Sequence, residues 1–288
     1  MLVSKKDLAK QRLAQVSPLM TCPFCQNNLT CQDYQLICNQ GHTFDIAKQG
    51  YLNLAPNHQE KHYDKNLFSS RYQIMGQLKL YSGLYQTIKD CLVQAGATFN
   101  SNQVLVNLGC GEASQAYQLS QVLSPCPKII GLDLAKDGIS QAAKHYSQGL
   151  WLVADLARIP MKDHTIDYLC TILSPSNYSE AKRVLKESGF YIKVIPGTNY
   201  LKEIRQAILP PDQVDHQSQD SIDIFASHFP TYHEIRYQDQ VSLNTSQALN
   251  LVNMTPLTWQ LDENQRQLLA QKLKQITIDL IVLVANQQ

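Results

Sequence analysis

From residue 100 onward, short apolar runs alternate with amphipathic stretches, and this alternation limits the fold more than any other feature of the chain. QVLVNLGCG (103–111) reads as a strand ending in glycines, and EASQAYQLSQVL (112–123) as a helix. KIIGLDL, AKDGISQAAKHY and GLWLVADL continue the pattern as strand, helix and strand. TIDYLCTIL (165–173) and GFYIKVIPG (189–197) supply a fourth and a fifth strand. Strands that alternate with helices predict an α/β fold built on a parallel, doubly wound sheet. Ligands of such sheets bind outside the carboxyl ends of the strands.

The first strand runs into N-L-G-C-G-E, residues 107–112. Glycines at this turn let a ligand approach the backbone. The spacing is G-x-G and not G-x-G-x-x-G, which disfavours a dinucleotide. With an acidic residue after the second strand, it is the pattern of an S-adenosylmethionine site. Asp133 is that residue, 24 positions after Gly109 and near the interval of about 20 expected for a ribose-binding carboxylate. Asp155, after the third strand, is placed to contact the adenine amino group.

A second constellation lies upstream. TCPFCQNNLTCQDYQLICNQGHTFD (21–45) holds four cysteines and one histidine. Structural zinc takes four ligands. Cys22, Cys25, Cys38 and His42 follow the spacing C-x2-C-x12-C-x3-H, which places each pair on its own turn, as in a zinc ribbon. Between the pairs, QDYQLIC reads as a short strand. Cys31 lies between the two turns and would have to bend inward to reach the ion, so it is left out.

Charge is uneven. Residues 1–90 carry ten Lys/Arg against six Asp/Glu, a net of +4, and the remainder 15 against 18, a net of −3. The basic part suits an anionic partner. MLVSKKDLAKQRLAQ lacks the apolar core of a secretory leader, and no run reaches the length of a membrane span. A cytoplasmic location is expected, where clustered cysteines indicate a metal and not disulfides. Cys91, Cys110, Cys126 and Cys170 are scattered and read as small buried hydrophobes.

After His42 comes FDIAKQGYLNLAP (44–56). With the Cys/His spacing, it resembles the RlmA family of 23S ribosomal RNA (guanine-N1)-methyltransferases. VLVNLGCGE, IIGLDLAKDGISQAAKHY, PGTNYLKEI and MTPLTW (254–259) continue the resemblance, which covers residues 22 to about 260. It implies a Rossmann-like class I methyltransferase sheet with a small N-terminal zinc-ribbon-like module. The implied division is residues 1–56 for the zinc module and RNA recognition, 57–99 for a helical linker, and 100–288 for the methyltransferase domain. The family lacks a cysteine at the position of Cys31, which supports the ligand set Cys22, Cys25, Cys38 and His42. It also implies that Tyr85, Gly111, Glu112 and Tyr200 line the cofactor site beside Asn107, Gly109, Asp133 and Asp155. The implied reaction moves a methyl group from S-adenosylmethionine to N1 of a guanine in a hairpin loop of 23S ribosomal RNA, and a homodimer is implied as well.

The chain departs from the family at several points. Asn107 stands where the family has Asp, Ala113 where it has Gly, and Tyr200 where it usually has His. Ser174-Pro175-Ser176 replaces A-P-C, Glu187-Ser188-Gly189 replaces P-G-G, and an Arg-Arg pair is missing, with Arg71 and Lys79 nearby. Lys48, Lys61, Lys65 and Arg71 are candidates for phosphate contacts, and Tyr51, Tyr85 and Tyr178 for stacking on an unstacked base. No residue stands out as the general base; Asp45 and Glu203 are unranked possibilities. Two other readings remain open: a small-molecule methyltransferase with a structural zinc ribbon, and a non-catalytic RNA-binding chain, for which Asn107 and Ala113 speak.

Overall fold

The computed structural model describes residues 3–58, 63–215 and 217–287, so Lys61 lies outside the described residues. The chain opens with helix α1 (Lys5–Val16), started by a capping box in which Ser4 Oγ accepts from the Asp7 amide at 3.1 Å. A small antiparallel sheet follows: β1 (Leu29–Gln32), β2 (Gln35–Cys38) and β3 (Thr43–Asp45), in that order. Next come β4 (Tyr51–Asn53), α2 (Lys65–Arg71), a π-helical turn over Tyr72–Leu78, and α3 (Leu84–Gln94).

The expected alternation then appears as β5 (Val104–Leu108), α4 (Ser114–Val122), β6 (Lys128–Asp133), α5 (Lys136–His145) and β7 (Leu150–Val153). It continues with β8 (Ile166–Ile172), α6 (Tyr178–Val184), β9 (Leu185–Pro196), α7 (Lys202–Ile208) and α8 (Gln219–His228). The last elements are β10 (Tyr232–Ser242), α9 (Thr245–Met254), α10 (Glu263–Lys272) and β11 (Gln275–Asn286). No described helix is long and apolar enough to cross a membrane.

Eight strands form one sheet in the order β10-β11-β9-β8-β5-β6-β7-β4. Pairing is parallel from β4 through to β9 and antiparallel between β9, β11 and β10. The two antiparallel strands extend the parallel sheet expected from the sequence. β11 is paired on both edges and buried on both faces, Leu280, Val282 and Val284 in one core and Ile281, Leu283 and Ala285 in the other, which suits the apolar run over 280–285. One face of the sheet packs against Ile88 of α3, Leu119 of α4, Ile139 of α5 and Leu251 of α9. The other packs against Leu13 of α1, Leu36 of β2, Val184 of α6 and Phe225 of α8.

The N-terminal module thus contributes to the core of the larger unit. It also contributes a strand. β4 pairs in parallel with β7, Tyr51 opposite Trp151 and Asn53 opposite Val153. The sheet therefore begins before residue 56, where the sequence suggests a boundary. Residues 63–94 beyond it are largely helical, through α2, the π-helical turn and α3.

Candidate functional site

Two turns bring the metal ligands together. Gln26 folds back on Cys22, its amide donating to the Cys22 carbonyl at 2.9 Å, and Gly41 does the same to Cys38 at 3.0 Å. The ligand atoms of Cys22, Cys25, Cys38 and His42 all lie within 4.8 Å of one another. Cys25 and Cys38 sulfurs are 3.6 Å apart, and His42 Nδ1 is 3.3 Å from the Cys38 sulfur and 3.6 Å from the Cys22 sulfur. A tetrahedral zinc site with ordinary bond lengths needs sulfur–sulfur edges of about 3.8 Å and sulfur–nitrogen edges of about 3.6 Å. The four residues fit the ion. Burial raises the Cys38 thiol, but the amides of His42 and Gln40 override it and bring it down to about 6, which favours the thiolate a metal needs. Cys31 is half-buried on β1 and belongs to no such cluster among the described residues. Four protein ligands leave no open position, so the centre is structural.

The second centre is built on the turn after β5. Gly109, Gly111 and Ala113 are all left-handed, at φ +66°, +55° and +67°. The Gly109 and Cys110 amides donate to the Leu132 carbonyl at 2.8 and 3.1 Å. Asp133, at the end of β6, accepts from the Gly111 amide and the Ala135 amide, each at 2.8 Å. Its carboxylate therefore faces the glycine turn from the neighbouring strand. Asp155 is exposed beyond β7 and accepts from the Ala157 amide at 2.8 Å. Asn107 is 2 % exposed; its Nδ2 donates to the Cys170 carbonyl at 3.2 Å.

Glu112 is fully buried, and Arg71 Nε lies 2.8 Å from its Oε2 without the alignment of a hydrogen bond. Burial pushes the Glu112 carboxyl up, against the opposing pull of Arg71. Burial would lower the Arg71 guanidinium, but Glu112 reverses the sign. Arg71 Nη2 also donates to Gln115 Oε1 at 3.1 Å. Phe68, from the same helix α2, covers the turn: a Cβ built on Gly111 would stand 3.1 Å from its ring.

Tyr85 and Tyr200 both reach this cleft. The Tyr85 hydroxyl is buried with no hydrogen-bond partner, and burial pushes it up, with Arg71 and Glu112 close enough to act on it. The Tyr200 hydroxyl bonds to that of Tyr81 at 2.5 Å. Tyr81 is a residue that motif reasoning missed. It lies in the turn just before α3, four positions ahead of Tyr85, and no motif marks it. Among the described residues, nine buried side-chain polar atoms lack an aligned partner. Six belong to Arg71, Tyr85, Asn107, Glu112 and Gln115 around this turn. Unpaired buried polar atoms are rare in folded proteins, so such a concentration marks a place for a polar ligand. The arrangement fits S-adenosylmethionine. Asn107, Gly109, Gly111, Glu112, Asp133, Tyr81, Tyr85 and Tyr200 would hold it, with Asp155 at the open end. Bound there, the cofactor supplies an electrophilic methyl group on a sulfonium.

Other candidates separate. Tyr51 is 7 % exposed and part of the core below β4, so it does not stack on a base. Tyr178 is half-buried and stacks on His228 at 4.5 Å. Arg71 is committed to Glu112 and Gln115 and makes no phosphate-binding surface, whereas Lys48 and Lys65 are exposed. Lys79 is exposed at the end of the π-helical turn. Glu203 accepts from the amide and hydroxyl of Thr277, which ties α7 to β11, and Asp45 is exposed on the zinc module. Neither faces the glycine turn.

Known proteins match the chain over the regions that carry both centres. A family profile described as "RlmA, N-terminal" matches residues 20–62, and one described as "Methyltransferase domain" matches residues 106–192. A Bacillus subtilis (strain 168) protein named "Putative 23S rRNA (guanine-N(1)-)-methyltransferase YxjB" is 30% identical over 272 residues, 92% of this chain and 96% of that one. The Streptomyces fradiae "23S rRNA (guanine(748)-N(1))-methyltransferase" is 26% identical over 253 residues, 85% of this chain and 88% of that one. Among solved structures, the YcgJ protein of Bacillus subtilis aligns with 69% of this chain and 97% of its own at a TM-score of 0.46 and 14% identity. By its identity to a relative along nearly the whole of both chains, the chain belongs to the RlmA family of 23S rRNA (guanine-N1)-methyltransferases.

Proposed function

We propose that the protein transfers a methyl group from S-adenosylmethionine to N1 of a guanine in a hairpin loop of 23S ribosomal RNA. The observation that carries this reading is the joining of a four-ligand metal centre, through β4, to the sheet whose glycine turn and Asp133 suit the cofactor. The chain's own contribution is positioning. Asp133 accepts the ribose hydroxyls, and the glycine turn admits the cofactor to the backbone. The zinc module presents an aromatic and basic outer face. Phe24 is 48 % exposed, and Lys6 and Lys10 both lie 4.7 Å over the Tyr34 ring. This face suits phosphate and base contacts on a folded RNA, and Lys48 and Lys65 are further exposed cations.

The test is methylation of 23S RNA transcripts by purified protein, with the product mapped by mass spectrometry. One guanine gaining a methyl at N1 is the expected result, and Asp133→Ala should weaken cofactor binding about tenfold, the worth of one lost charge-assisted hydrogen bond. Methylation of small metabolites but not of RNA would remove the reading. The competing reading, a non-catalytic RNA-binding chain, is favoured by one observation: Phe68 and Arg71 cover the turn. Titration calorimetry with S-adenosylmethionine decides between them, since that reading requires no heat at millimolar cofactor.

A further inference from the structure

The loop after β8 begins with Leu173 in the left-handed region, at φ +54°. Strained backbone of this kind concentrates at functional sites. The bend returns Ser174 to the glycine turn, where its Oγ donates to the Leu108 carbonyl at 2.9 Å. A Cβ built on Gly109 would stand 2.7 Å from the Ser174 Cβ, so loop and turn are in contact. Two residues further on, Ser176 caps a polar cluster that contains none of the residues assigned to the cofactor.

Lys193 of β9 forms the base of that cluster. It pairs with Thr171 in the sheet register, is 8 % exposed, and its Nζ donates to Ser176 Oγ at 2.6 Å. The Tyr191 hydroxyl donates to the same oxygen at 2.7 Å. Thr171 Oγ1 is 3.1 Å from the Tyr191 hydroxyl and 3.5 Å from Ser176 Oγ. A serine oxygen has two lone pairs and one hydrogen. When the Lys193 amine is neutral, the Ser176 hydrogen points to Lys193 Nζ, the Tyr191 hydroxyl fills one lone pair, and, Ser176 being half-buried, the second lone pair faces the open side of the loop.

No carboxylate forms an ion pair with Lys193 among the described residues. The groups that face it are Tyr191 on its own strand, Leu283 of β11, and the Tyr178 ring of α6 at 5.9 Å, behind which His228 of α8 is stacked. Lys182 lies over the Phe229 ring, on the far side of the same aromatic group. Burial without a counter-charge brings the Lys193 amine down to about 8. A buried lysine with no acidic partner is thus hydrogen-bonded to the loop that touches the cofactor turn.

We propose that Lys193 is the terminal proton acceptor for methylation at guanine N1, reached through the Ser176 hydroxyl. The proposal rests on the substrate reading given above. Guanine N1 carries a proton at neutral pH, and its removal frees the lone pair that forms the new carbon–nitrogen bond. That proton passes to Ser176 Oγ while the Ser176 proton passes to the neutral Lys193 amine. The electron pair of the broken carbon–sulfur bond stays on sulfur. The positive charge lost there is replaced by the Lys193 ammonium, which afterwards releases its proton to water. A base with a proton affinity near the working pH is the efficient choice for such a step.

The experiment is the pH dependence of kcat on an RNA transcript for the wild type, Lys193→Met, Lys193→Arg and Ser176→Ala. In the wild type, log kcat rises with pH and levels above about 8. Lys193→Met and Lys193→Arg each lose about a hundredfold or more at pH 8.5, the usual contribution of a general base, and the bend disappears while KM for RNA and thermal unfolding hold. Arginine keeps the charge and the donors but cannot take the proton, so rescue by Lys193→Arg would show a purely electrostatic or structural role and overturn the proposal. Ser176→Ala is expected to lose rate as the lysine variants do, and full activity from it overturns the relay. A readout independent of turnover is the NMR titration of Lys193 in the free protein, expected near 8; titration above 10 also overturns it. Wild-type protein that methylates no guanine N1 removes the substrate reading and this proposal together, whereas an active wild type with unchanged lysine variants removes this proposal alone.

Discussion

Ala113 starts helix α4 with φ +67° and ψ +11°. A left-handed L-residue costs roughly 1–2 kcal/mol, and glycine escapes that cost while losing some chain entropy on folding. Ala113→Gly is therefore expected to raise the unfolding free energy by about 1 kcal/mol in a denaturant titration. A loss of stability would show that the Ala113 methyl group, fully buried in the core, matters more than the strain. The departure from the family is plain in the sequence; that the turn keeps its left-handed shape with alanine is not. The same holds at Asn107. The missing carboxylate is legible, but the use of the amide, a hydrogen bond to the Cys170 carbonyl, depends on the strand beside it. Tyr81 and Lys193 went unseen for a related reason. Neither lies in a recognisable motif, and each acquires its neighbours from a helix turn or a strand register that no linear spacing shows.

The zinc turns and β4 are neighbours in the chain and in space. Cys38 ends β2, which pairs with β3, and the Ile46 amide donates to the Tyr34 carbonyl at 2.7 Å just before β4. Cys38→Ser should release the metal, whereas Cys31→Ser should retain it. Metal content by atomic emission checks the first part. Hydrogen exchange checks the second consequence, which is faster exchange in β4 and β7 only in the Cys38 variant. Equal zinc loss from both variants would mean that Cys31 is a ligand. At this scale the sequence is informative. Each strand expected in the parallel sheet forms, because βαβ units write their alternation into the chain. β10 and β11 were harder to foresee. β11 carries a continuous apolar run only over 280–285, with polar Thr277 and Asp279 before it, and β10 is an edge strand whose residues are exposed or half-exposed.

Among the described residues of the whole molecule, eight strands share one sheet, and its last strand on one side comes from the zinc-bearing end of the chain. A fragment of residues 57–288 would leave the backbone of β7 unpaired at a sheet edge. Open edges recruit other chains, so this fragment is expected to aggregate on size-exclusion chromatography and to unfold at a lower temperature than the full chain. A monodisperse fragment with an unchanged midpoint would show that β4 is dispensable. In the intact protein β4 has another effect. Only residues 46–50 separate β3 from β4, and within them the Ala47 amide is tied back to the Tyr51 carbonyl at 2.8 Å. There is no slack for one unit to swing against the other. The molecule is built like a caliper with a short joint: five residues and a paired strand set the spacing between the metal-bearing jaw and the cleft at Gly109. On the function proposed above, a target would be chosen by how its folded shape spans that gap, and a single base pair inserted between the part held by the zinc module and the guanine would put the guanine out of reach.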